Sequence, residues 1–150
     1  MLILFDKSRM TVIDNILLDN LTAQAQASPR LRMNLDLRNS SEDTSQRMLN
    51  AIEPGSVVPV HRHRNTSETL VVLRGSVVEE YYDSDGALVE CVELAAGGDT
   101  RSESDNGIAP CALNIPAGQW HTLRALVSGT VILEMKDGAY EPLQECDILK

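Results

Sequence analysis

From Leu31 onward the hydrophobic period of the chain is two. Leu31, Met33, Leu35 and Leu37 alternate with Arg32, Asn34, Asp36 and Arg38, the pattern of a strand with one buried face. Short runs of similar character follow, each closed by a turn signal. Residues 46–53 stop at Pro54-Gly55, and residues 69–73 and 76–82 are parted by Arg74-Gly75. Asp83-Ser84-Asp85-Gly86 carries the Asp-Gly hairpin signal ahead of residues 88–94. Residues 108–115, 120–127 and 130–135 complete the series around the turns Pro116-Ala117-Gly118 and Ser128-Gly129. Before Leu31 the period is helical. Thr11, with Asp14 three residues on, reads as a capping box, and Ile13, Ile16, Leu17 and Leu21 form one apolar stripe. Pro29 ends that helix by Ser28. Residues 2–5 read as an edge strand and 97–107 as a polar loop. Strands this short, with turns this frequent, predict an all-β sandwich or small barrel with one N-terminal α-helix.

Composition narrows the function classes. A chain of 150 residues predicts one domain, and 43% hydrophobic residues can form its core without a metal or disulfide staple. Thirteen Lys and Arg against 22 Asp and Glu leave a net charge of −9, which argues against nucleic acid or an anionic membrane as partner. No apolar run approaches a membrane span. The opening Met1-Leu2-Ile3-Leu4-Phe5-Asp6 lacks the basic flank of a signal peptide. Cys91, Cys111 and Cys146, odd in number and without CxxC spacing, fit a reducing compartment, so a cytoplasmic protein is expected. The three thiols read as small buried hydrophobes.

The chemistry is concentrated in the chain's 3 histidines. His61 and His63 are spaced i, i+2, which on a strand puts both imidazoles on one face. Glu68 follows a polar link and can reach the same point from a neighbouring strand if the chain reverses there. His121 starts a later strand, just past the Pro116/Gly118 turn. Three neutral imidazoles and one carboxylate suit Fe(II), Mn(II), Co(II), Ni(II), Cu(II) or Zn(II), and the set lacks the thiolates of a structural zinc site.

These residues carry a resemblance. Gly55, His61, His63, Glu68 and Gly75 match every fixed position of the first cupin motif, G-x5-HxH-x3,4-E-x6-G, and Pro116, Gly118 and His121 match the core of the second. Pro110 and Ala125 stand where that second motif has Gly and Asn, neither of which is a metal ligand. The chain thus resembles the cupin superfamily. Its Pro29-Arg30-Leu31-Arg32, Gln46-Arg47-Met48 and the run from Glu134 to Pro142 are similar to WbuC-type cupin-fold metalloproteins, often encoded beside surface-polysaccharide genes. The resemblance implies a double-stranded β-helix, or jelly-roll barrel, in which each motif supplies two adjacent strands. It implies one divalent metal ion (Fe, Mn, Zn, Ni, Co or Cu) held by His61, His63, Glu68 and His121. Gly55, Gly75 and Gly118 become turn glycines. The expected organisation is a single cupin domain: an N-terminal strand and helix over 1–30, a barrel over 31–136 and a tail over 137–150.

Beyond the ligands, Glu134 and Lys136 share one face of a strand and are candidates for holding a polar substrate, as are Tyr140 and Arg47. Arg62, lying between the two histidines, should point away from the metal, and Trp120 away from His121. The expected function is a metal-dependent cupin acting on a small polar metabolite, a sugar or sugar nucleotide, by isomerase-like, epimerase-like or dioxygenase-like chemistry. The alternative is a non-catalytic sugar-binding or sensing module. An enzyme needs a titratable group in the lumen beyond the metal ligands. A homodimer is expected, since the N-terminal extension lies outside a barrel complete without it.

Overall fold

The computed structural model describes residues 6–97 and 109–150. The expected strand at 2–5 and nearly all of the polar loop at 97–107 lie outside the described residues. Among the described residues one helix, α1 (Asn15–Ala27), precedes eight strands: β1 (Arg32–Asp36), β2 (Ser45–Ile52), β3 (Glu68–Arg74), β4 (Ser76–Tyr82), β5 (Leu88–Ala95), β6 (Ala112–Ile115), β7 (Trp120–Ala125) and β8 (Thr130–Asp137). They form two antiparallel sheets, a larger one in the order β1-β2-β8-β3-β6 and a smaller one in the order β5-β4-β7. A single 3-10 turn, Glu145–Asp147, lies in the tail.

Strand alternation sorts side chains into two cores. Ile52, Leu70, Val72 and Ile132 of the larger sheet meet Val77, Leu94, Leu123 and Ala125 of the smaller one, filling the space between the sheets. The opposite phase of the larger sheet presents Leu49, Ala51 and Val131 outward, where Leu18, Leu21 and Ala25 of α1 cover them. The helix is fixed further by Arg74, whose guanidinium reaches Asp19 Oδ1 at 2.6 Å and Thr22 Oγ1 at 2.7 Å.

The helix starts later than its sequence signal. Asp14 itself is the N-cap, accepting the Leu17 N–H at 3.0 Å, and Thr11 lies outside the helix. The buried stripe is correspondingly Leu18, Leu21, Thr22 and Ala25, while Ile13 and Ile16 face solvent. The cysteine reading is overturned as well. Cys91, Cys111 and Cys146 are all exposed, because the inward phase of β5 falls on Val92 and Leu94 and the other two lie outside the strands.

The sheets are joined where β3 passes into β4 through Gly75. Its φ of +78° lies in the left-handed region, and a Cβ there would sit 2.3 Å from Thr130 Oγ1 and 2.9 Å from Thr130 Cα. No helix among the described residues is long and apolar enough to cross a membrane.

Candidate metal centre

The space between the sheets is apolar at one end and polar at the other. Along β3 the inward phase runs Glu68, Leu70, Val72; along β8 it runs Ile132, Glu134, Lys136; along β7 it runs His121, Leu123, Ala125. At the polar end the HxH segment is not part of a regular strand. It is an extended stretch held on both edges. On one side His61 and His121 exchange backbone hydrogen bonds, 3.0 and 2.8 Å long. On the other side Arg62 N–H donates to Asp147 O and Leu149 N–H to Val60 O, so the C-terminal tail borders the histidines. Gly118, at φ +84°, donates its N–H to His63 O at 2.7 Å and ties the second motif's turn to the first motif.

This pairing brings all three imidazoles together, with ring centroids 4.5–5.7 Å apart and one ring nitrogen from each within 4.8 Å of the others. Glu68 approaches from the opposite sheet. Its Oε2 lies 3.3 Å from His63 Nε2 and 3.5 Å from His121 Nε2, and the side chain is buried. The expectation that each motif supplies two adjacent strands is therefore corrected. The HxH segment pairs with β7 of the smaller sheet while Glu68 begins β3 of the larger, and β6 and β7 likewise belong to different sheets. The four groups converge across the gap rather than along one surface.

The donor set fits a cation. His61 Nδ1 lies 2.8 Å from Pro59 O, and His121 Nδ1 lies 2.9 Å from Gln119 O. A carbonyl only accepts, so each Nδ1 carries the proton and each Nε2 keeps its lone pair. Burial first, then neighbouring His121, pushes the pKa of His61 down to about 4, which keeps the ring neutral. Glu68 Oε2 is buried without a hydrogen-bond partner even though two ring nitrogens flank it. An orphaned carboxylate oxygen aimed between imidazole lone pairs is what a shared cation would satisfy. Burial raises the Glu68 carboxyl, but its neighbours, the Lys136 ammonium among them, hold the group below the usual carboxylate range. The three-histidine cluster is suited to one divalent metal ion.

Glu134 and Lys136 both point into this chamber, in register with Leu70 and Glu68. Lys136 Nζ lies 3.7 Å from Glu68 Oε2 and 3.5 Å from Glu134 Oε2. Burial, then the charge of Glu68, raises the Glu134 pKa to about 7. A cavity of about 440 Å³ opens over His63 and Lys136 and is lined by the tail around Tyr140 and Gln144. Tyr140 lines it from an exposed position, with the Arg38 guanidinium 5.4 Å from its ring centroid. Arg62 turns away from the chamber, stacked 4.5 Å from the Trp120 ring and bonded to Asp147, which also binds Arg64. Arg47 lies in the outward phase of β2, bonded to Leu37 O and Asp43, away from the histidines. One inward group escaped the sequence reading: Glu79, fully buried on β4 in the same phase as Val77. The signal was Glu79-Glu80 inside a strand, where alternation forces one of the two inward.

The sequence model of a family described as "Domain of unknown function (DUF6016)" matches residues 13–94. No curated protein matches the chain. Solved structures resemble it in fold. KdgF from Halomonas sp. superposes with a TM-score of 0.54 at 14% identity, over 75% of this chain and 84% of that one. An oxalate oxidase in complex with a substrate analogue, glycolate, gives 0.60 at 14% identity over 95% and 65%. The capsular polysaccharide assembling protein CapF from Staphylococcus aureus gives 0.53 at 20% identity; the chain spans only 27% of that protein's length. At these identities the likeness concerns the fold alone.

Proposed function

From the premise that this chain belongs to the family described as a domain of unknown function (DUF6016), we propose that it is a mononuclear-metal cupin enzyme acting on a small polar metabolite, a sugar or sugar nucleotide of surface-polysaccharide biosynthesis. Its ligands are His61, His63, Glu68 and His121. The observation that carries the reading is the convergence of three imidazoles, with Nε2 of His61 and His121 free of a proton, and an orphaned Glu68 oxygen beside a cavity large enough for a sugar. When bound, the ion supplies Lewis acidity toward a carbonyl or enediolate oxygen. Glu134, with its pKa raised to about 7, stands beside that position and can take up and return a proton. Lys136 holds Glu134 in place and balances its charge. An acid–base residue of this kind favours isomerisation or epimerisation over dioxygenation.

The test is deuterium exchange by NMR. Purified protein of known metal content is incubated in D₂O with a panel of keto- and aldo-sugar nucleotides. Exchange beside the carbonyl, lost in Glu134→Gln at unchanged metal content, is the expected result. Tight binding of a sugar with no exchange or turnover would replace the enzyme by the sensing module. That second reading has one observation in its favour: Arg62 and Arg64 are already committed to Asp147.

The segment motifs support a kinship with WbuC-type cupins. Free, exposed thiols at Cys91, Cys111 and Cys146 support a cytoplasmic setting. Homodimerisation is supported by the apolar side chains of Met10, Val12 and Ile16, exposed on and before the helix. A monomer by light scattering at micromolar concentration would remove that part of the proposal.

A further inference from the structure

Glu79 plays no part in the reading above, yet it is a fully buried acid. It is 0% exposed, and neither carboxyl oxygen has a hydrogen-bond partner among the described residues. Alternation fixes its direction: Val77, in the same phase, is packed between the sheets, so Glu79 and Tyr81 point there too. Register places Tyr81 beside His121 and Glu79 beside Leu123, which makes Glu79 the diagonal neighbour of His121, within reach of a long side chain. The charged and titratable groups around it are Glu68 from β3, Glu134 and Lys136 from β8, His121 from β7 and Tyr81 from its own strand. From β5 its partner is the apolar Val92, with Glu90 beside Tyr81, and Glu80 faces outward. None of these supplies a bond to it.

A carboxylate cannot be held in such a place without a partner, so Glu79 is a neutral acid. Burial, then the charges of Glu68 and Glu134, pushes its pKa up to about 9. A neutral carboxyl has an O–H to donate, and the described residues offer it no acceptor. An apolar residue of similar volume would serve the core better, and orphaned buried donors are rare in native proteins. The group therefore lacks its acceptor until something else enters the chamber.

We propose that Glu79 is the hydrogen-bond donor of the metal chamber, its carboxyl O–H binding an anionic oxygen of the ligand from the interior side of His121. The loaded site then selects a small monoanion, such as a carboxylate, over its neutral analogue. The inference rests on the metal reading above. Charge counting agrees with it. A dication against Glu68, with Lys136 balanced by Glu134, leaves a positive surplus for an anion, and an ionised Glu79 would cancel it.

The test uses the full chain loaded with cobalt(II), its metal content fixed by mass spectrometry. Formate and the neutral analogue formamide are titrated against the visible cobalt spectrum, in wild type, Glu79→Gln and Glu79→Leu. Wild type should bind formate in preference to formamide, with affinity falling at alkaline pH as Glu79 ionises. Glu79→Gln keeps a donor and should lose that fall. Glu79→Leu should bind formate at least tenfold more weakly at unchanged cobalt content. Independently of any metal, the infrared carbonyl stretch of protonated carboxyls in the metal-free protein at neutral pH should be weaker in Glu79→Gln than in wild type, Glu134 supplying the remainder. Normal cobalt uptake with formate affinity indifferent to Glu79→Leu, or a protonated-carboxyl band undiminished in Glu79→Gln, overturns this inference alone. Failure of wild type to take up cobalt overturns the metal reading and this inference with it.

Discussion

His61 and His121 have their outer ring nitrogens tied to carbonyls two residues back, so their reactive faces are set before any ion arrives. Replacing His61, His63 or His121 with Ala should therefore lower metal affinity by at least tenfold to a hundredfold while leaving the sheets folded, because both cores are apolar and separate from the site. Glu68→Gln should cost less, since a neutral oxygen stays in position. Arg62→Ala is the control: its guanidinium lies over Trp120 and against Asp147, so metal content should stay unchanged. Metal stoichiometry by mass spectrometry, with circular dichroism for folding, decides among these outcomes. Stoichiometric metal in a folded His121→Ala protein would sever the second motif from the site.

At the scale of elements, the tail is a structural partner of the histidines rather than an appendage. Residues 147–149 pair with the HxH segment on the edge opposite β7, and Asp147 gathers Arg62 and Arg64 from either side of His63. Deleting residues 145–150 should weaken metal binding several-fold, with the loss in His61 and His63 alignment visible as shifted imidazole NMR signals. Unchanged affinity would show that β7 alone suffices to hold the segment. The crossing at Gly75 gives a sharper expectation. A Cβ there meets Thr130 backbone at 2.9 Å and must adopt φ +78°, so Gly75→Ala should destabilise the protein by on the order of 3 kcal/mol in chemical denaturation.

For the molecule as a whole, the buried polar end makes stability depend on pH. The folded-state pKa of His61, about 4, lies below its unfolded value of roughly 6.5. Between those values the unfolded chain binds more protons than the folded one, so stability rises with pH across the window and is lost as pH falls through it. That is the His61 contribution alone, isolated as the melting-temperature difference between metal-free wild type and His61→Ala, because Glu134 and Glu79, whose folded-state pKa values are raised, act in the opposite sense over the same range. The difference should move against wild type as pH falls from about 6.5 to about 4. Bound metal should be released over acidic pH too, since protons compete for the same nitrogens. A difference flat across this range would contradict the buried, neutral imidazole.

Period-two hydrophobicity and turn residues were enough to locate most strands and the joints at Gly75 and Gly118, because alternation and positive φ are properties of a few consecutive residues. Histidine and glutamate spacing was enough to identify the groups that meet. Which strands those groups would stand on was decided by sheet pairing, and pairing depends on contacts between residues far apart in the chain. That is why His61 and Glu68, seven positions apart, reach one point from two sheets. The same holds for the helix, whose buried face was chosen by the sheet it covers and not by its own stripe of isoleucines, and for the cysteines, left outside by the phase and limits of their strands. Above all it holds for Glu79. Its sequence neighbourhood shows a charged pair within a strand, but only the facing sheet, with Glu68 and Glu134, removes it from water and keeps it protonated.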